Sequence, residues 1–458
     1  MIRRVLVANR GEIAVRIIRA CREMNIETVA VYSRADKDAL FVTLSTRAVC
    51  IGGERAADSY LNINNIISAA LATECDAIHP GFGFLSENTD FVAKVRESGL
   101  IFIGPTAEVI KKLGDKSAAR ELMCACGVPV VPGSDGIVKD AEQAILVAED
   151  IGYPVLVKAS AGGGGRGMRR ADDRESLKTA FEIASAEAVS CFGDGSMYVE
   201  KLILNPRHIE FQILADNMGN VVHLGERECS VQRRNQKMLE ESPSKALTEA
   251  LRWEMGAAAV KAAKSAGYTN AGTVEFILDS EDKFYFIEMN TRIQVEHPVT
   301  EMITGIDIVR EQVHIADGMA LKFTQEDICF SGHAIECRLN AEDPENDFVP
   351  CPGKIDYLHL PGGFGVRVDT YLYSGCEISP YYDSMMAKII VHGKTRNEAI
   401  LRMRRVLEET IATGVKNNLG LLYMIFYHPD FIRGKYDTGF IEKNLETLLL
   451  HVGKDMVL

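Results

Sequence analysis

The apolar positions repeat first with the period of one element and then with that of another. Residues 2–9 form a short apolar run, Arg10-Gly11-Glu12 makes a turn, and Ile13, Ile17 and Ala20 begin a helical stripe through residue 24. Strand-then-helix alternation continues, with strands at Glu27–Tyr32, Cys75–His79 and Leu100–Ile103 and helices around 62–72 and 88–97. Such alternation predicts a parallel α/β layer over residues 1–112. Gly104-Pro105 closes it, and Lys116 opens the next helix.

The middle of the chain reads differently. Tyr153–Ser160 is an apolar strand carrying Lys158, and Tyr198–Ile203 is a strand end or connector. Arg207–Ile213 alternates, with His208, Glu210 and Gln212 on one face. Residues 247–266 and Ile303–Ala320 read as helices. The organising stretch is 271–298, a hairpin. Val274, Phe276 and Leu278 alternate with Thr273, Glu275 and Ile277; after a polar turn, Phe284, Phe286, Glu288 and Asn290 alternate with Tyr285, Ile287 and Met289. A turn centred between Glu281 and Asp282 sets Glu275 opposite Glu288, with Cβ atoms roughly 5 Å apart. Opposed carboxylates repel, so a divalent cation, a shared proton or a basic neighbour is expected there.

Past a break near 322–331, residues 332–341 alternate again, placing Glu336, Arg338 and Asn340 on the polar face. Strands at 362–369 and 380–391 and a helix at 396–411 complete an α+β region over 331–445, followed by a tail at 446–458. The expected class is therefore multidomain, parallel α/β first and α+β last, with a central domain over 113–330.

Composition narrows the function. The chain has 458 residues, enough for roughly three domains. A net charge of −13 argues against a nucleic-acid or anionic-membrane surface. The N-terminal apolar run is too short for a signal peptide, and no apolar run of about 18 residues occurs. Eleven scattered Cys residues without a Cys-x-x-Cys pair predict reduced thiols and a cytoplasmic location. Cys229 lies near the expected site, as a buried small hydrophobe.

The hard oxygens of Glu275, Glu288 and Asn290 suit Mg²⁺ or Mn²⁺, which commonly bridges to phosphates and so points to a nucleotide. Arg292 and Glu296 supply a cation and a candidate base beside that metal. Lys158, inside an apolar strand, calls for an anionic partner. The Gly162–Gly167 run lets backbone N–H groups close around phosphate, as a flap within a lid at about 131–203. It is not a Walker loop. His79-Pro-Gly-Phe-Gly-Phe-Leu-Ser-Glu87 sits at the carboxyl end of a strand, either facing the site or linking strand to helix.

Glu288-Met-Asn-Thr-Arg292, the Gly-rich flap and the paired lysines resemble the ATP-grasp superfamily. Within it, Arg292-Ile-Gln-Val-Glu-His-Pro-Val-Thr-Glu301, the His79–Asn88 segment, Ala341-Glu-Asp-Pro344 and Tyr381-Tyr-Asp-Ser-Met385 are similar to biotin carboxylase. The resemblance runs from Ile2 to about residue 445 and implies carboxylation of biotin by ATP and bicarbonate, through carboxyphosphate. It implies that ATP is held by Lys116, Lys158, Gly164, Gly165, Glu200, Lys201, Leu202, Ile203, His208 and Asn235, with Glu275 and Glu288. It places the metal on Glu275, Glu288 and Asn290, and bicarbonate on Lys237, Arg292, Gln294 and Val295. Glu296 would act as the base and Arg338 would face biotin. Asn235 and Phe82 depart from the family, which usually has His and Tyr there; altered affinity is the expected consequence. The resemblance also implies a homodimer using Arg16, Arg19, Glu23 and Phe364. Because no Ala-Met-Lys-Met-like segment occurs, it implies a separate biotin carboxyl carrier protein and a carboxyltransferase subunit. Another ATP-grasp ligase and a nucleotide-sensing module are the competing readings.

Overall fold

The computed structural model describes residues 1–159 and 168–452, without the side chains of residues 191 and 192. The expected flap at Gly162–Gly167, with Gly164 and Gly165, lies outside the described residues.

The N-terminal strands form a five-stranded parallel sheet in the order Arg47–Gly52, Glu27–Ser33, Arg4–Val7, Ala77–His79, Ile101–Phe102. Its first strand is absent from the sequence reading. That strand lies at the sheet edge with only Ile51 buried, so it carries no apolar run to detect.

The expected helix over Ile303–Ala320 is two helices, His297–Thr304 and Ile308–Ala316. Gly305, at φ 70, ends the first, and the Asp307 side chain caps the second by accepting from the Arg310 backbone N–H.

An eight-stranded antiparallel sheet carries the site. Its order is Phe284–Asn290, Asn270–Leu278, Arg207–Ala215, Val221–Arg233, Gln236–Ser242, His333–Asn340, Met385–Gly393, Val366–Thr370. It runs unbroken across residue 331, because Gln236–Ser242 pairs directly with His333–Asn340. The helix Glu249–Ala266 packs against it through Met255, Ala259, Ala262 and Ala263. A separate three-stranded sheet, Met168–Ala171, Val155–Ala159 and Met197–Lys201, has its own core with helices Ala141–Ile151 and Arg174–Phe192. The last helix, Phe440–His451, continues through the start of the expected tail because Leu448 is buried and Leu445 and Leu449 pack on the core.

The hairpin pairs Glu275 with Glu288 as expected, but by a different route. Phe276 pairs with Phe286 and Glu275 with Glu288, so Ile287 is left over as a β-bulge. The bulge reverses the facing of the second strand. Phe284 and Phe286 pack with Phe276 in the core, ring centroids 5.4 and 6.5 Å apart, while Glu288 and Asn290 point the other way. The single face expected for Phe284, Phe286, Glu288 and Asn290 is thus split in two. Met238 is a second leftover residue, between the pairs Val231–Leu239 and Gln232–Lys237, and it turns Lys237 off the core face that Leu239 occupies.

The C-terminal region is pinned to this sheet by a buried carboxylate. Glu241 accepts from Arg396 Nε and His333 Nε2, both at 2.7 Å, and from the Tyr436 hydroxyl. Burial opposes its ionised form, yet Arg396 and His333 hold the carboxyl far below its ordinary range. A depressed carboxylate stabilises the fold fully above its unfolded pKa and loses that contribution as pH falls through the folded value. Glu241→Gln should therefore destabilise the protein at pH 7 by about 3–5 kcal/mol, by leaving Arg396 uncompensated. The difference in unfolding midpoint between variant and wild type should shrink below about pH 4. A pH-independent difference would contradict the ion-pair account.

Candidate active site

The site is built outward from Lys237. Its ammonium donates to Glu210 Oε2 at 2.6 Å, Glu296 Oε1 at 2.7 Å and Glu275 Oε1 at 3.0 Å, one carboxylate for each of its three protons. Burial alone would weaken its charge, but these three anions push its pKa well above the ordinary value.

Each carboxylate is then held from a second side. Glu210 takes Arg227 Nε at 2.5 Å, and the fully buried Arg227 also donates to Gln212, Thr273 and Thr300. Glu296 Oε2 accepts from Arg338 Nη2 at 2.9 Å. Arg338 Nη2 also lies 2.6 Å from Glu240 Oε1. Charge therefore alternates from Arg227 through Glu210, Lys237, Glu296 and Arg338 to Glu240. Burial would raise the Glu296 carboxyl, but Lys237, Arg338 and Arg227 hold it well below its ordinary value.

Glu275 is the most crowded acid. Besides Lys237, Asn290 Nδ2 and Gln294 Nε2 donate to Oε1 at 2.8 and 3.1 Å, and His208 Nε2 stands 2.9 Å from Oε2. Among the described residues its partner Glu288 makes a single ion pair, with Lys116 Nζ at 3.9 Å. Burial and the facing Glu275 raise the Glu288 carboxyl. Of the three neutralisers the sequence allowed, the structure contains basic neighbours, distributed unequally. Glu288 is the under-compensated carboxylate, and with Glu275 and the Asn290 oxygen it makes an all-oxygen donor set without thiol, which fits Mg²⁺.

A cleft of about 900 Å³ joins these groups. Lys116, Lys158, His208, Asn235, Lys237, Glu275, Glu288, Asn290, Arg292, Gln294, Val295, Glu296 and Arg338 all line it, so most expected site residues are brought together. Glu200, Lys201, Leu202 and Ile203 do not line it. Glu200 pairs with Lys158, and Lys201 Nζ donates to the carbonyls of Gly152 and Tyr153 at 2.9 and 2.8 Å. Phe82 also lines the cleft, its carbonyl held by Asn9 Nδ2 at 2.7 Å. Asn235 and Arg234 form a two-residue hairpin turn between Arg233 and Gln236, at φ 65 and 48. That left-handed backbone favours Asn, which accounts for the residue at 235 in conformational terms. Cys229 is buried, as expected for a small hydrophobe, and burial pushes its thiol well up.

Three anchors escaped sequence reading. Glu87 Oε2 accepts from Arg292 Nε at 2.8 Å, and Glu87 Oε1 accepts from the Thr291 backbone N–H and hydroxyl, both at 3.0 Å. The His79–Glu87 loop thus reaches the site. Lys388, fully buried, donates to the Val295 carbonyl at 2.8 Å and lies 3.1 Å from Glu12 Oε1. Glu210 and Arg227 form the third. For Glu210 the signal was the polar face of an otherwise apolar strand, and for Glu87 the position of its loop at the carboxyl end of a strand; nothing local marks Lys388.

A lysine-lined cleft over an antiparallel sheet, with two facing acids for a cation, defines the site of an ATP-dependent ligase. Three family models match in succession: "Biotin carboxylase, N-terminal domain" over residues 1–110, "Carbamoyl-phosphate synthase L chain, ATP binding domain" over 115–324 and "Biotin carboxylase C-terminal domain" over 336–443. The Biotin carboxylase 1 of Bacillus subtilis is 56% identical over 96% of this chain and 98% of its own length. Among solved structures, the biotin carboxylase domain dimer of Hydrogenobacter thermophilus 2-oxoglutarate carboxylase, in complex with MgADP, ADP and bicarbonate, superposes with a TM-score of 0.92. It is 52% identical and covers 98% of this chain and 99% of that one. A solved biotin carboxylase subunit of pyruvate carboxylase is 53% identical, with a TM-score of 0.87 over 98% of this chain and 99% of its own. The chain belongs to the biotin carboxylase family, ATP-dependent ligases that carboxylate biotin. Among the described residues no helix is long and apolar enough to cross a membrane.

Replacing Lys237 by Met should leave Glu210, Glu275 and Glu296 facing one another without their common cation, at a cost of about 3–5 kcal/mol. Their proton affinities then rise, so the variant should gain unfolding midpoint relative to wild type on going from pH 8 to pH 5.5. Parallel pH curves for the two proteins would show that Lys237 does not balance this cluster.

Proposed function

We propose that the cleft activates bicarbonate with ATP and passes the carboxyl group to biotin carried on another polypeptide. The observation that carries this reading is Glu296, one carboxylate held between the ammonium of Lys237 and the guanidinium of Arg338. Lys116, Lys158, His208 and Asn235 bind ATP, with Gly164, Gly165, Glu200, Lys201, Leu202 and Ile203 completing the nucleotide pocket once the 131–203 unit covers it. Glu275, Glu288 and Asn290 hold Mg²⁺ or Mn²⁺, which when bound offsets charge on the phosphates.

Lys237, Arg292, Gln294 and the backbone of Val295 bind bicarbonate. In the free site Glu296 is a weak base because its cations stabilise the ionised form. An arriving anion competes for the same cations, so their hold on Glu296 loosens and its affinity for a proton rises where the proton must be taken. The deprotonated bicarbonate oxygen attacks the γ-phosphorus, ADP leaves, and the cationic side chains stabilise the phosphoryl oxygens. The resulting carboxyphosphate breaks down to CO₂ and phosphate beside the ureido ring. The released phosphate takes the ureido N–H proton, and Arg338 stabilises the resulting ureido oxyanion as its nitrogen attacks CO₂.

In this reading biotin rides on a separate biotin carboxyl carrier protein, and a carboxyltransferase subunit sets the final acceptor. Relatives of near-equal identity carry names with different acceptors, which fits that division of labour. A homodimer in the cytoplasm completes the reading, with no nucleic-acid or membrane partner. It is supported by the dimeric relative and by Phe364, 87% exposed beside Arg402. Arg16 is tied within the chain to Glu301 and Asp307, at 2.9 and 2.6 Å.

Glu296→Gln should reduce bicarbonate-dependent ADP release by about 10²–10⁴-fold while ATP affinity is retained. Turnover within tenfold of wild type would reject the base assignment. Free biotin should raise that ADP release in wild type; stimulation by an amino acid in its place would favour a different ligase. Glu288→Gln should raise the Mg²⁺ concentration for half-maximal activity more than tenfold, and an unmoved titration would remove Glu288 from the metal site.

A further inference from the structure

Behind Arg338 lies a second pair of opposed acids that the proposed chemistry does not use. Glu240 and Glu336 are direct cross-strand partners in the ladder between Gln236–Ser242 and His333–Asn340. Such partners have Cβ atoms about 5 Å apart. Both side chains are completely buried; Glu240 Oε1 has Arg338 Nη2 at 2.6 Å, while Glu240 Oε2 and both oxygens of Glu336 have no hydrogen-bond partner among the described residues.

The charged groups around them are Arg338, Lys237, Glu296 and Lys388, and the buried thiols of Cys229 and Cys337 are the nearby titratable groups on neighbouring positions. The cations among these are already committed. Lys237 serves Glu210, Glu275 and Glu296; Lys388 holds the Val295 carbonyl and Glu12; Arg338 is shared between Glu296 and Glu240. Glu336 therefore has no cation of its own among the described residues. Two carboxylates at this separation with only a shared guanidinium between them cannot both stay ionised in a dry interior, whereas one proton converts their repulsion into a short O–H···O⁻ bond.

We infer that Glu240 and Glu336 hold one proton between them and act as a positioning pair, the Glu336 acid donating to the Glu240 carboxylate, which anchors the Arg338 guanidinium opposite Glu296. Burial agrees with this order, pushing Glu336 well above the ordinary carboxylate value and Glu240 up to about 7. A second proton, taken up on acidification, neutralises Glu240 and leaves Arg338 paired with Glu296 alone. The guanidinium then sits more firmly on the base and less freely toward biotin, so acid lowers kcat/KM for biotin without touching the nucleotide. The role rests on the placement of Arg338 at biotin; the proton itself does not.

Infrared spectroscopy of the substrate-free protein separates the two. Protonated carboxylic acid absorption should rise as pH is lowered from about 9 to about 6, and Glu336→Gln should remove part of it. A wild-type protein with no protonated carboxylic acid absorption removable by Glu336→Gln at about pH 9 overturns the shared proton. In turnover, Glu336→Gln replaces the acid O–H that Glu240 accepts with a weaker amide donor and should move the acid limb of kcat/KM for biotin up by about one pH unit, and Glu240→Gln should raise the KM for biotin about tenfold with the KM for ATP unmoved. Both variants keeping the wild-type limb and biotin KM, with the infrared change present, would leave the proton in place and overturn its role in positioning Arg338.

Discussion

The structure depends on one lysine that three buried carboxylates share. Glu210, Glu275 and Glu296 come from different strands and a loop, and each would be costly in a dry interior without Lys237. The cluster fixes the separation of the strands Arg207–Ala215, Asn270–Leu278 and Gln236–Ser242 at the site, because the ammonium can serve all three acids from only one place. It also sets the chemistry. In the proposed reading, a substrate anion competes with these same carboxylates for Lys237.

The means of aiming these side chains is the β-bulge. Strict alternation would place Glu288 with Phe286 and Lys237 with Leu239, on the core side. One extra residue, Ile287 or Met238, breaks the parity and turns the charged group toward the cleft while its neighbours stay in the core. A strand can then be apolar toward the core at one end and present a charged side chain to the cleft at the other.

The remaining parts of the chain reach the site through single pinning contacts. Glu87 from the N-terminal layer holds Arg292, Lys388 from the C-terminal strands holds the Val295 carbonyl, and Glu241 ties Arg396 and Tyr436 to the strand that carries Lys237. Polar contacts of this kind specify how the layers meet, because each leaves a buried charge unpaired if the layers shift.

Much of this was legible in the chain. The parallel N-terminal layer, the polar face of His208, Glu210 and Gln212, the opposed Glu275 and Glu288 and the outward Arg338 all follow from period and side-chain chemistry, which are local properties. The edge strand Arg47–Gly52 and the break at Gly305 were not legible, the first because an exposed edge carries no apolar pattern and the second because one glycine does not outweigh a continuous helical stripe. The partners of Arg292, Val295 and Lys237 belonged to the tertiary structure alone. An ion pair across 205 residues, as between Glu87 and Arg292, is decided by packing that brings distant segments together. The facing of Glu288 and Lys237 was likewise decided in three dimensions, since a bulge forms where the core accepts Phe286 and Leu239 and sends the next residue out.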